Sequence, residues 1–140
     1  MTDRFRLDGR VAVVTGAGGG VGSAGAAALA EAGADVALVG RNRAKLEETA
    51  EAVKAAGRRA LVVQADVAQE SEVAACAAAA TASLGRVDIL FNNAGITSPK
   101  TLADLPLAEW RRVIDTNLTG AYLCARAFAP ALIASKQGRI

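Results

Sequence analysis

Histidine is absent from this 140-residue chain, which removes the Ser-His-Asp and Cys-His catalytic arrangements together with the commonest metal-ligating side chain. Cysteine is scarce. Cys76 and Cys124 stand alone without Cys-x-x-Cys spacing, so neither a disulfide framework nor a zinc site is indicated, and a reduced compartment fits. A surplus of one charge is lacking too: 16 basic and 14 acidic residues give +2, spread without blocks, which argues against nucleic acid or anionic lipid as partner and favours a small molecule. No run of 18 apolar residues occurs, and the charged start, Met1 to Arg6, has no apolar segment of the signal-peptide kind. No membrane segment and a cytoplasmic location are therefore expected.

What the chain does have is alanine, 34 residues of it, which points to small-residue packing between helices and a sheet. The length suits one hydrophobic core, or a piece of a larger one, given about 100–200 residues per domain. Short β-branched runs at 11–14, 36–39, 60–63 and 87–91 alternate with helical windows at 20–32, 44–56 (with Asn42 as N-cap) and from Ser71-Glu72 to Leu84-Gly85. That alternation predicts an α/β fold with a parallel sheet between helix layers. The alanine-rich stretch 74–82 needs no function, since alanine has the best helix propensity. One long helix is expected over 107–134, carrying Trp110, Val113, Ile114, Asn117, Leu118, Ala121, Ala125, Phe128 and Leu132 at helical spacing, with Pro130 placed to kink its last turns. At Gly138-Arg139-Ile140 a fifth strand would be starting. Residues 1–140 thus read as a single domain, incomplete at the C-terminus.

Between the first strand and the first helix lies Thr15-Gly16-Ala17-Gly18-Gly19-Gly20-Val21-Gly22. Glycines there let a diphosphate approach backbone N–H groups at a helix N-terminus, the place where a dinucleotide binds in a doubly wound sheet. No Gly-Lys-Ser/Thr follows at the interval a Walker A loop needs. Gly-x-Gly-x-x-Gly fits Gly20, Gly22 and Gly25, but begins six residues after the strand, so Gly25 reads as a close packing position between helix and sheet.

Thr15-Gly16, three residues, then Gly20-x-Gly22, together with Asn92-Asn93-Ala94-Gly95 after the fourth strand, resemble the two hallmark motifs of the short-chain dehydrogenases/reductases. Asp66-Val67 and Asp115-Thr116-Asn117 are similar to further motifs of that family. The resemblance implies a Rossmann-type doubly wound parallel sheet of order 3-2-1-4, cut off before strand 5. It also implies site roles. Thr15, Gly16, Gly20, Val21 and Gly22 would shape the pyrophosphate turn, Asp66 with Val67 would meet the adenine, and Asn92, Ala94 and Gly95 would support the ribose and nicotinamide side. Asn117 would take part in a proton relay. At the end of the second strand, where a carboxylate would favour NAD, the chain has Gly40-Arg41; Arg41 is the candidate for a 2′-phosphate, so NADP(H) is favoured, with NAD(H) as the alternative.

In the family, a Ser, a Tyr and a Lys four residues after the Tyr join the helix asparagine in the acid–base set; only the asparagine, Asn117, has a counterpart here, and the resemblance implies that the other three belong beyond Ile140. Tyr122 and Arg126 share the spacing but lie on the helix of Asn117, and Tyr122 reads as packing. The expectation is the coenzyme-binding half of an NAD(P)-dependent oxidoreductase acting on a small carbonyl or secondary alcohol, inactive alone. It looks like 3-oxoacyl-carrier-protein reductases and sugar or polyol dehydrogenases. The alternatives are a non-catalytic dinucleotide-binding module or partner subunit, and a fragment whose fold needs an absent half. The resemblance also implies a homo-oligomer, dimer or tetramer, through helix 107–134, whose Trp110, Val113, Ile114, Phe128 and Leu132 would lie beside an open apolar edge of the fourth strand.

Overall fold

A computed structural model describes residues 5–140; the first four residues of the charged N-terminal segment lie outside the described residues. The strands are β1 (Val11–Thr15), β2 (Asp35–Gly40), β3 (Ala60–Gln64) and β4 (Ile89–Phe91). All pair in parallel in the order β3-β2-β1-β4, with Val13 beside Ala37 on one side and Leu90 on the other. The helices are α1 (Gly20–Glu31), α2 (Arg43–Ala55), α3 (Glu70–Leu84), α4 (Leu107–Ile114) and α5 (Gly120–Ala134).

Every residue of β1 is buried, which explains why its sequence is a continuous apolar run instead of an alternation: a parallel strand is covered on both faces. The period of two still sorts the side chains. Val14, Val36 and Leu38 join Ala26, Ala30, Leu46 and Val53 on the face covered by α1 and α2. Val11, Val13, Ala37 and Val39 join Val73, Cys76, Ala80, Cys124, Phe128 and Leu132 on the face covered by α3 and α5. Burial pushes the Cys76 thiol up to about 12, with Cys124 nearby adding to it, and the Cys124 thiol up to about 11.

Two acidic residues sit near the amino ends of the strands and knit that edge together. Asp88, 1% exposed, accepts from the Val11 N–H at 2.9 Å and from Arg86 and Arg10. Asp35 accepts from the backbone and side chain of Arg59 and pairs with Arg58 at 2.8 Å. Burial alone would raise both carboxyls, but these hydrogen bonds and guanidinium charges outweigh it and hold both below the ordinary value.

The helix expected over 107–134 is one helical run with an irregularity in the middle. Asp115–Thr119 forms a π turn between α4 and α5, while α5 continues through Pro130. The irregularity therefore lies a dozen residues before the proline. Phe128 and Leu132 do not face outward; they are buried against the sheet, because their stripe points at β4 and α3, and the exposed apolar residues of the run are Leu107, Trp110, Leu118, Tyr122 and Ile133. The β4 edge is partly closed as well. Arg139 bridges Ile89 in parallel, its N–H donating to the Asp88 carbonyl at 2.9 Å and its carbonyl accepting from the Leu90 N–H at 2.9 Å. Among the described residues, no helix is long and apolar enough to cross a membrane, and no cluster of acidic or sulfur ligands could hold a metal ion.

Candidate functional site

The carboxyl ends of β1 and β4 lie side by side, and the register that pairs Val14 with Phe91 brings Thr15 against the Asn92-Asn93 segment. Thr15, itself 1% exposed, turns its hydroxyl into a junction: Oγ1 accepts from the N–H groups of Asn93 and Ala94, both at 3.0 Å, and donates to the Phe91 carbonyl at 3.3 Å. Asn93 returns the contact. Its side-chain Nδ2 donates to the carbonyls of Thr15 and Gly16, at 3.1 and 3.3 Å. Sequence reasoning gave Asn92, Ala94 and Gly95 a site role and passed over Asn93, although an amide with two donors next to a strand end facing a threonine is a readable signal. Asn92 lies outside the cleft; its Nδ2 donates to the Ala121 carbonyl in α5.

The glycines of the turn differ in what holds them. Gly16 and Gly20 have φ of +65° and +54°, in the left-handed region that a Cβ disfavours. A Cβ on Gly22 would stand 2.2 Å from the Gly16 carbonyl oxygen and 2.5 Å from Asn93 Nδ2, so Gly22 is required by close approach within the protein. Gly25 behaves as the packing position expected of it: a Cβ there would meet the Phe91 ring at 2.6 Å. Around Gly19 and Gly20, in contrast, a Cβ would have nothing within 4 Å. Gly19 also supplies no side-chain cap to α1, so the first N–H groups of that helix have no capping side chain as acceptor. Val21 is exposed in the first turn of α1.

A cleft of about 100 Å³ opens along this edge. One end is walled by Gly40, Arg41, Asp66 and Val67, the other by Ala94, Gly95, Ile96 and Thr116, with Gly16 between them. Arg41 is exposed; its carbonyl accepts from Gln64 Nε2 at 2.9 Å, and Asn42 behind it caps α2 by accepting from the Lys45 N–H at 3.1 Å. Asp66 Oδ1 accepts from the Ala68 N–H at 2.9 Å, and its own N–H donates to Glu72 at 2.7 Å. At the opposite end, Asn117 in the π turn pairs with the backbone of Ile96 through both polar atoms: Oδ1 accepts from the N–H at 2.8 Å and Nδ2 donates to the carbonyl at 2.9 Å. Tyr122 is exposed on α5, and Arg126 pairs with Glu70 at 3.2 Å.

The segment after Ile96 is held to α4. Glu109 accepts from Ser98 Oγ at 2.6 Å and pairs with Lys100 Nζ at 2.8 Å, and the Lys100 and Ser98 hydrogen bonds keep its carboxyl below the ordinary value.

Similar sequences and the same fold recur in known proteins. The chain is 46% identical over 132 residues to cis-4-hydroxycyclohexanecarboxylate dehydrogenase of Sinomonas cyclohexanicum, covering 94% of this chain and 53% of that protein. It is 41% identical over 138 residues to 3-oxoacyl-[acyl-carrier-protein] reductase of Synechocystis, covering 96% and 55%. A crystal structure of NAD+-bound xylitol dehydrogenase superposes with a TM-score of 0.92 at 36% identity, over 96% of this chain and 52% of that one. The chain thus spans about half the length of the curated relatives it matches. The family model described as short chain dehydrogenase matches residues 10–140, from just before β1 to Ile140. With the glycine turn, the asparagine segment and the strand order all inside that match, the chain belongs to the short-chain dehydrogenase family.

Proposed function

We propose that this chain is the coenzyme-binding part of an oxidoreductase that interconverts a small carbonyl compound and a secondary alcohol by hydride transfer, with NADP(H) preferred over NAD(H). The observation that carries the reading is the exposed glycine turn, with nothing within 4 Å of a Cβ on Gly19 or Gly20, leading into a start of α1 that no side chain caps, the kind of helix start that binds a phosphate. The residues around it suit the rest of a dinucleotide. Arg41 has no side-chain partner among the described residues and is available for a 2′-phosphate, which a guanidinium binds by charge-assisted hydrogen bonds. Asp66, with one oxygen committed to the Ala68 N–H, keeps the other for the adenine amino group, beside Val67. Gly16, Gly20 and Gly22 shape the diphosphate turn that Thr15 fastens, and Ala94, Gly95 and Asn117 form the nicotinamide end.

When bound, the nicotinamide supplies the hydride donor or acceptor. This chain's residues orient it: Asn117 spends both polar atoms on Ile96 and so fixes the backbone there. Tyr122 is assigned no proton transfer, because it is exposed on α5 and Arg126 is drawn to Glu70. The reading extends to a second copy of the chain packed on the outer stripe of Leu118, Tyr122 and Ile133.

Fluorescence titration of the 140-residue chain with NADPH and with NADH tests the cofactor assignment, alongside Arg41→Ala. NADPH should bind the tighter of the two. Loss of one charge-assisted contact, about 1.5–3 kcal/mol, should weaken NADPH roughly 10–100-fold and leave NADH nearly unchanged. Equal losses for both would remove Arg41 as the discriminator, and absence of binding by either would remove the coenzyme reading.

A further inference from the structure

Two side chains of one helical run grip one loop at the nicotinamide end of the cleft. Asn117 holds Ile96 by two hydrogen bonds, and Glu109 holds Ser98 and Lys100, with Arg112 a further 3.9 Å from the same carboxylate. In a regular α-helix the eight residues from Glu109 to Asn117 would turn by about 800°, leaving the two side chains roughly 80° apart. The π turn at 115–119 has more residues per turn and rotates less per residue, which brings Asn117 back toward the face of Glu109. Both can then serve the same short loop. Pro99 stiffens the loop between the two Glu109 partners, and the Ser98 hydroxyl in turn accepts from the Lys100 N–H at 3.3 Å. A single contact at Ile96 would fix the loop's start and leave the rest free to swing; the second fixes it as far as Lys100.

We propose that Glu109 is a positioning residue, which acts with Asn117 across the π turn to hold residues 96–100, the loop that carries the cleft-lining Ile96, at the nicotinamide end. The proposal rests on the coenzyme reading above. Glu109 has no place in the cleft lining, so its effect passes through the loop and should fall on the nicotinamide half of the ligand alone.

The test uses the 140-residue chain with two probes, NADPH and 2′-phospho-ADP-ribose, the second lacking the nicotinamide. Glu109→Ala should weaken NADPH about three- to tenfold, the weight of one or two hydrogen bonds, while 2′-phospho-ADP-ribose stays within about twofold. Lys100→Met, made on the loop and not on α4, should give the same selective loss and guard against local unfolding of the helix. Combined with Glu109→Ala it should add little, since the two share one contact. Glu109→Gln, which still accepts from Ser98, should recover at least half of the lost affinity. Equal weakening of both probes, additive losses, or unchanged NADPH affinity in Glu109→Ala would each overturn the assignment of Glu109 while leaving the coenzyme reading standing. A wild-type chain that binds neither probe would overturn both.

Discussion

The two ends of the cleft are built by opposite means. At the turn after β1, the decisive features are missing atoms: Gly22 lets the Gly16 carbonyl pass where a Cβ would stand, and Gly19 and Gly20 leave open space before α1. At the other end, lined by Ala94, Gly95 and Ile96, the decisive features are polar side chains, with Asn117 and Glu109 each spending hydrogen bonds on residues 96–100, which have no regular structure of their own. Gly22 tolerates almost no addition, whereas a side-chain clamp tolerates change in proportion to the bonds it loses. Mutations on the two sides should therefore differ in size, not only in site.

The largest effect is expected at Gly22. Overpacking of this kind costs about 1–3 kcal/mol, so Gly22→Ala should lower dinucleotide affinity by roughly fivefold to more than a hundredfold, measured by calorimetric titration. An affinity within about twofold of wild type would show that the turn yields easily and that the contrast between the two ends is false. Asn93→Ala comes next. It removes a donor that the Thr15 and Gly16 carbonyls share, at about 1 kcal/mol, and should weaken the dinucleotide about fivefold. Because Asn93 joins the two ends, the double variant with Gly22→Ala should fall short of the sum of the single losses; additive losses would mean that the ends are independent.

The smallest effect on the cleft is expected from its opposite edge. Asp88→Asn should cost about 1–3 kcal/mol of stability by leaving donors around Val11, Arg10 and Arg86 poorly matched, yet leave dinucleotide affinity unchanged in the folded chain. Its pH dependence follows from the sign of the shift. The folded carboxyls of Asp88 and Asp35 lie below their ordinary value of 3.8, so their contribution is complete above that value and is lost as pH falls through the lower folded values. Denaturant melts between pH 5 and pH 2.5 should show a smaller acid loss in Asp88→Asn than in wild type. A loss of the same size would assign the acid sensitivity to other carboxylates.

Much of this arrangement is legible in the residues. The β-branched runs and the Asn42 cap place the elements within a residue or two, and the glycine turn and Asn92-Asn93-Ala94-Gly95 mark the cleft by residue type alone. The illegible parts share a cause: they depend on partners distant in sequence. A 3.6-residue period fits Phe128 and Leu132 on either an inner or an outer stripe, and only the docking of α5 on the sheet decides that they are core. Pro130 draws attention by its own chemistry, while the π turn at 115–119 carries no residue that demands it and forms where Asn117 reaches the Ile96 backbone. The hold of Arg139 on β4 is made by backbone groups, which leave no mark in the sequence.

The two buried cysteines give the molecule a built-in clock. Cys76 on α3 and Cys124 on α5 lie in one core cluster with thiols pushed up to about 12 and about 11, so at neutral pH both stay protonated and out of reach of alkylating reagents and oxidants. Neither can be modified while the α3–α5 layer is seated. The rate at which a thiol reagent consumes them in native buffer is then the rate of access through opening of that layer, and any ligand that tightens the fold should slow it.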